Sequence, residues 1–149
     1  MYKLILLPTD GSAVSKQAVA GGIALASEIG ARVLGLHVIP ILHDDQLEAW
    51  MHHDPHLVER RQALFDKFAD DYLAVVTQAA QAAQVPCDVA RLRAADASSG
   101  ILKVARDAGC DLIYMASHGW RADQTQLLGS ETLKVLQFGS VPVLVHKPG

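Results

Sequence analysis

The chain has 149 residues, 50% of them hydrophobic and 19% charged, with a formal net charge of −3. That length suits one domain with a sizeable core, and the absence of any basic block removes the electrostatic footprint of a non-specific nucleic-acid binder. No apolar run reaches the roughly 20 residues of a membrane-spanning helix.

Met1-Tyr2-Lys3, followed by Leu4-Ile5-Leu6-Leu7-Pro8, is too short for a signal peptide. The expectation is therefore a cytoplasmic protein of one domain, residues 1–149, that engages neither nucleic acid nor membrane. Cys87 and Cys110 form no C-x-x-C pair and read as small buried thiols near the starts of two strands.

Lys3 to Leu7 is an apolar run of strand length, ended by Pro8-Thr9-Asp10-Gly11-Ser12. Ser12 suits an N-cap, and from Val14 onward Ala18, Val19, Gly22, Ile23, Ala26 and Ile29 recur at helical spacing until Gly30. Arg32 to Val38 alternates with branched residues and predicts the second strand. After Pro40 a polar segment leads to Asp54-Pro55, an N-cap with proline at the first helical position. Leu57, Leu64, Phe68, Tyr72, Val76, Ala79 and Ala83 then mark one face of a long helix.

Cys87 to Leu92 predicts the third strand. Ala97-Ser98-Ser99-Gly100 leads into a short helix carrying Ile101, Val104, Ala105 and Ala108, stopped by Gly109. Asp111 to Met115 reads as a buried strand, Ser130 opens a helix on which Leu133 and Leu136 share a face, and Pro142 to His146 is the last strand. This alternation predicts an α/β fold: an open, doubly wound, Rossmann-like parallel sheet of five strands with helices on both faces. If the first three strands build outward and the fourth returns beside the first, the order is 3-2-1-4-5. Ligands of such sheets bind where the winding reverses, here between the first and fourth strands.

Two loops meet at that switch point. Ala116-Ser117-His118-Gly119, a nine-residue gap and Gly129-Ser130 combine glycines with a helix start. Glycine lets the backbone approach closely, the first helix amides have no internal partners, and Ser130 adds a hydroxyl. This is the chemistry of a phosphate cradle. The alternative is that Ser130 caps a surface helix and both glycines serve ordinary turns. Opposite lies Thr9-Asp10-Gly11-Ser12, where the Asp10 carboxylate suits ribose hydroxyls or a divalent cation, or simply closes an Asx-turn. Val38 and Pro40 provide an apolar wall for a base.

Small-x2-Gly-x9-Gly-Ser after a late strand resembles the nucleotide-binding signature of the universal stress protein family, with Ala116 where that signature has glycine. The resemblance extends over nearly the whole chain, through Pro-Thr-Asp-Gly-Ser, Leu-His-Val, Ser-His-Gly, Leu-Leu-Gly-Ser and Val-Pro-Val-Leu-Val. It implies an ATP site matched by Asp10, Val38, Ala116, Gly119, Gly129 and Ser130, with Pro8, Thr9, His118 and Glu131 around the nucleotide and magnesium held between ATP and Asp10. It also implies a regulatory role in stress response and a homodimer through the last strand, Val141 to Val145, as well as a protein partner of unknown identity.

Two departures bear on that site. The Ala116 methyl stands near the ribose or adenine, and Glu131 places a carboxylate beside the phosphates, which repels them unless a cation intervenes or the side chain turns away. Arg121 either offsets that charge or is a solvated loop residue, and Trp120 packs over a nucleotide or over a partner chain.

Enzyme signatures are thin. There is no G-x-x-x-x-G-K-[ST], no G-x-G-x-x-G after the first strand and no G-x-S-x-G elbow. No committed catalytic residue is expected, and the alternatives are a nucleotide-free dimeric interaction module or a slow ATP-hydrolysing or adenylate-forming enzyme. His43, Asp44, Asp45, Glu48, His52, His53, Asp54 and His56 crowd one segment. It reads as a solvated loop, although Glu48 and His52 stand one helical turn apart.

Overall fold

The computed structural model describes residues 1–41, 48, 52–120 and 127–148. Its elements alternate as β1 (Leu4–Pro8), α1 (Ala13–Ile29), β2 (Arg32–Pro40), α2 (Leu57–Ala82), β3 (Cys87–Ala94), α3 (Ala97–Ala108), β4 (Leu112–Ala116), α4 (Ser130–Phe138) and β5 (Val143–His146). All pairs are parallel and the order is β3-β2-β1-β4-β5, as the sequence predicts. In register, Leu6 of β1 stands between Leu34 of β2 and Ile113 of β4.

The sheet is covered on both faces, which is why its central strands are continuously apolar. Ile5 and Leu7 join Val19, Ile23 and Ala26 of α1 and Val76 and Ala80 of α2 on one side. Leu6, Leu36, Ile113 and Met115 meet Ile101 and Ala105 of α3 and Val135 of α4 on the other. Ile5, Leu6 and Leu7 are all 0% exposed. Cys110 lies buried just before β4, where desolvation, with the neighbouring Asp111 charge, pushes its thiol up to about 11. Cys87 is only partly buried.

The two sheet edges differ in character. β3 carries Arg91 and Arg93, which pair with Asp70 and Asp66 of α2, and such charges discourage another chain from adding to that edge. β5 carries Val143, Leu144 and Val145 instead. No described helix is long and apolar enough to cross a membrane.

Some local expectations shift. The first four strands reach further at their carboxyl ends than the apolar runs predict; β2 and β3 stay paired out to Pro40 opposite Ala94. Asp54 Oδ1 accepts the His56 N–H at 2.9 Å, so Asp54-Pro55 forms a turn ahead of α2, and the helix begins at Leu57 with His56 in the cap position. Ala69, Leu73, Val76 and Ala80 are the buried positions of α2, while Leu64 and Phe68 of the predicted face lie at its exposed fringe.

Helix α4 begins at Ser130, as the sequence predicts. Gly129, not Ser130, occupies its cap position, and Thr132 and Val135 face inward. Leu133 and Leu136 do share a face, but that face points out, with 50% and 43% exposure. Helical periodicity says which residues lie together and leaves open which side is covered. The anchor is Thr132, whose Oγ1 donates to the Ala116 carbonyl at 3.0 Å.

Truncating the inward residue tests this orientation. Val135→Ala is expected to lower unfolding stability by about 1–3 kcal/mol and Leu133→Ala by well under half as much, as measured by denaturant titration. Equal losses at both positions contradict the orientation described.

Candidate functional site

The loop from β1 to α1 is built by short polar side chains that bond their own backbone. Thr9 N–H donates to the Leu36 carbonyl at 2.8 Å, fixing the loop to the end of β2. Asp10 Oδ1 accepts the Ser12 N–H at 2.9 Å, so the Asx-turn is present. Ser12 Oγ then accepts the Ser15 N–H at 3.2 Å and caps α1. Gly11 has φ +80, and a β-carbon there would lie 2.2 Å from the Tyr72 ring of α2. Only glycine meets both demands.

The second loop follows β4. Ser117 is fully buried; its N–H donates to the His146 carbonyl at 2.9 Å and its own carbonyl accepts the Gly129 N–H at 2.7 Å. That last bond brings both ends of the nine-residue excursion together. Ser117 Oγ also lies 2.9 Å from His118 Nδ1. No side chain caps α4, which leaves the first turn of the helix available to an anion.

The two loops touch. Trp120 Nε1 donates to the Asp10 carbonyl at 2.6 Å, and a β-carbon on Gly119 would stand 2.3 Å from Asp10 Oδ2. Glu131 turns aside: its Oε2 accepts the Ser98 N–H at 3.3 Å and lies 3.8 Å from Lys134 Nζ. Its carboxylate therefore serves the start of α3, which Asp96 caps by accepting the Ser99 N–H at 2.9 Å. Ala116 packs in the core cluster on the α1 side.

Between these loops and α2 lies a cavity of about 860 Å³. Pro8, Thr9, Asp10, Val38, Ala116, His118, Gly119, Gly129, Ser130 and Glu131 all line it, so the residues that the sequence assigns to a nucleotide site are brought to one place. Pro40 and Trp120 line it too. Sequence reasoning missed three contributors: His37, which looked like ordinary strand; the α2 aromatics Phe65, Phe68 and Tyr72; and the Asp96–Ala97 start of α3. The signal for the aromatics was their spacing on one helix face, next to the bulk of the core-facing stripe. Arg121 and the His43-Asp44-Asp45 run lie outside the described residues, and among those described no group of three His, Cys, Asp or Glu is placed to hold a metal ion.

The sequence matches the model of the universal stress protein family over residues 1–147. The chain belongs to that family. It is 32% identical over 145 residues to a universal stress protein of Thermus aquaticus, covering 97% of this chain and 98% of the relative. It is 30% identical to one of Methanocaldococcus jannaschii, covering 99% and 83%. Among solved structures of the same fold are a universal stress protein in complex with cAMP (TM-score 0.69, 19% identity, covering 97% of this chain and 96% of that one) and one from Archaeoglobus fulgidus in complex with dAMP (TM-score 0.66, 13% identity, covering 99% and 98%).

The α3 cap gives a pH-dependent prediction at the rim of this family site. Hydrogen bonds from the Ser99 side chain and backbone, then from Ser98, hold the Asp96 carboxyl below its ordinary 3.8. A carboxylate with a lowered native pKa stabilises the fold above the unfolded value, and that contribution disappears as pH falls through the native one. Asp96→Ala is thus expected to cost about 1 kcal/mol at neutral pH, with the difference from wild type closing below the ordinary carboxylate range. A pH-independent difference in thermal unfolding contradicts this account.

Proposed function

We propose that this protein binds ATP, with magnesium, at the β1–β4 switch point and acts as a cytoplasmic regulatory protein of stress response. The observation that carries the reading is the convergence of the sequence signature on one cavity with two chemically distinct ends. At one end stand Gly119, Gly129 and Ser130 with the uncapped start of α4, suited to phosphate oxygens. At the other stand Val38, Pro40, Ile101 and the α2 aromatics, suited to a base. Asp10 lines the same cavity with its carboxylate beside Gly119, which suits ribose hydroxyls or a nucleotide-bound magnesium ion. The adenine-nucleotide complexes of two structural relatives support the same ligand class, and the engagement of Glu131 with Ser98 lessens its repulsion of a triphosphate.

Occupancy of the cradle changes the surface offered to a protein partner, because Trp120 both lines the cavity and bridges the two loops. No catalytic turnover is assigned. The proposed assembly is a homodimer in which β5 and its flank, Val141 to Val145, face a second copy. Leu144 is 39% exposed on that unpaired edge, and an apolar edge of this kind needs cover.

Calorimetric titration of nucleotide-stripped protein with ATP and magnesium tests the ligand. Micromolar affinity, about −8 kcal/mol, is expected, with loss of binding in Gly129→Asp, whose carboxylate enters the cradle. Absence of heat at millimolar ATP overturns the reading. Light scattering tests the assembly: wild type is expected at twice the chain mass and Leu144→Glu at the chain mass. A wild-type monomer at every concentration rejects the dimer.

A further inference from the structure

His37 is about nine-tenths buried, with 9% of its surface exposed, and it lines the cavity between Thr9 and Val38. Its Nδ1 lies 2.8 Å from the Thr9 carbonyl oxygen. A carbonyl only accepts, so Nδ1 carries the proton and donates. In the neutral ring that bond defines the tautomer and makes Nε2 an acceptor. Nothing among the described residues hydrogen-bonds Nε2. Among the described residues no buried side-chain nitrogen or oxygen lacks a partner, so this atom keeps accessible surface on a residue that lines the cavity. Tyr72 meets the imidazole edge-on, with centroids 5.1 Å apart and planes at 78°, and holds the ring in place. Phe68 in turn stacks on Tyr72 at 6.0 Å.

An oriented acceptor on a cavity wall that also carries the apolar Val38, Pro40 and Phe68 selects for a donor on the ligand. The geometry points to His37 as the residue that reads the base: Nε2 accepts a hydrogen bond from an exocyclic amino group. This rests on the nucleotide reading above and adds a specificity to it. A base with an amino group at that position, such as adenine, satisfies the imidazole. A base with a carbonyl there, as in hypoxanthine or guanine, sets acceptor against acceptor and leaves a buried polar atom unpaired. Val38 and Pro40 offer only apolar surface alongside and do not distinguish these bases through their side chains.

His37→Asn tests the assignment, because an asparagine amide can replace the Nδ1–H donor to the Thr9 carbonyl while removing Nε2. Binding of ATP and of inosine triphosphate is measured by calorimetry for both proteins, with thermal unfolding as a check on the fold. Wild type is expected to favour ATP by roughly tenfold or more, and the ratio is expected to fall towards one in His37→Asn through loss of ATP affinity.

An unchanged ATP preference in the variant overturns the role of His37 while leaving the nucleotide site standing. So does a variant that keeps the base preference but loses discrimination against 3′-deoxy-ATP, which would place the sugar at Nε2. Failure of wild type to bind either triphosphate removes the nucleotide reading and this one with it. A readout free of ligand is the histidine nitrogen spectrum of wild type: the Nδ1–H tautomer is expected, and an Nε2–H tautomer refutes the proposal even where ATP binds.

Discussion

The hydrogen bond from the Gly129 N–H to the Ser117 carbonyl, 2.7 Å long, is the constraint on which the candidate site depends. It closes the excursion between β4 and α4 so that the helix starts directly above the end of the strand. Thr132 reinforces the same junction by donating to the carbonyls of Ala116 and Ser117. Without that closure the first turn of α4 would face solvent, and Gly119 would not meet Asp10. A β-carbon at Gly129 would come 3.2 Å from the Ser117 oxygen, so the residue that supplies the donor is also the one small enough to reach it.

The rest of the site is arranged outward from this closure. Parallel pairing of β1 with β4 places both loops at one end of the sheet, and the Trp120 indole links them through the Asp10 carbonyl. On the far side, β2 and β3 run past the other strands to Pro40 and Ala94, deepening the cavity towards α2. The polar groups within it are mostly committed to the protein: Asp10 Oδ1 to Ser12, Glu131 to Ser98, His37 Nδ1 to Thr9. Such commitments orient the groups before any ligand arrives, which lowers the cost of ordering them on binding.

Much of this was legible in the residues. The alternation of apolar runs with helical stripes gave the five strands and their winding, and the cradle, whose glycines and serine by spacing alone also suit ordinary turns, stood out through the family signature it resembles. The resemblance to universal stress proteins, now matched over residues 1–147, added the family. Less legible were orientations. Leu133 and Leu136 look like a core stripe but face outward, since a two-sided apolar helix carries no mark of which side is covered. Glu131 reads as a charge against phosphate until its partner at Ser98, on a different helix, is seen.

By itself the sequence determined the order of elements, the parallel sheet and the residues gathered at the β1–β4 switch, because hydrophobic period, glycine placement and capping residues act locally along the chain. The tertiary structure decided what those residues face. It brought Tyr72 beneath Gly11 and against His37, turned Glu131 towards α3 and set His37 in the wall of the cavity. Each of these depends on contacts between segments far apart in the chain, whose geometry is set only when the helices pack on the sheet.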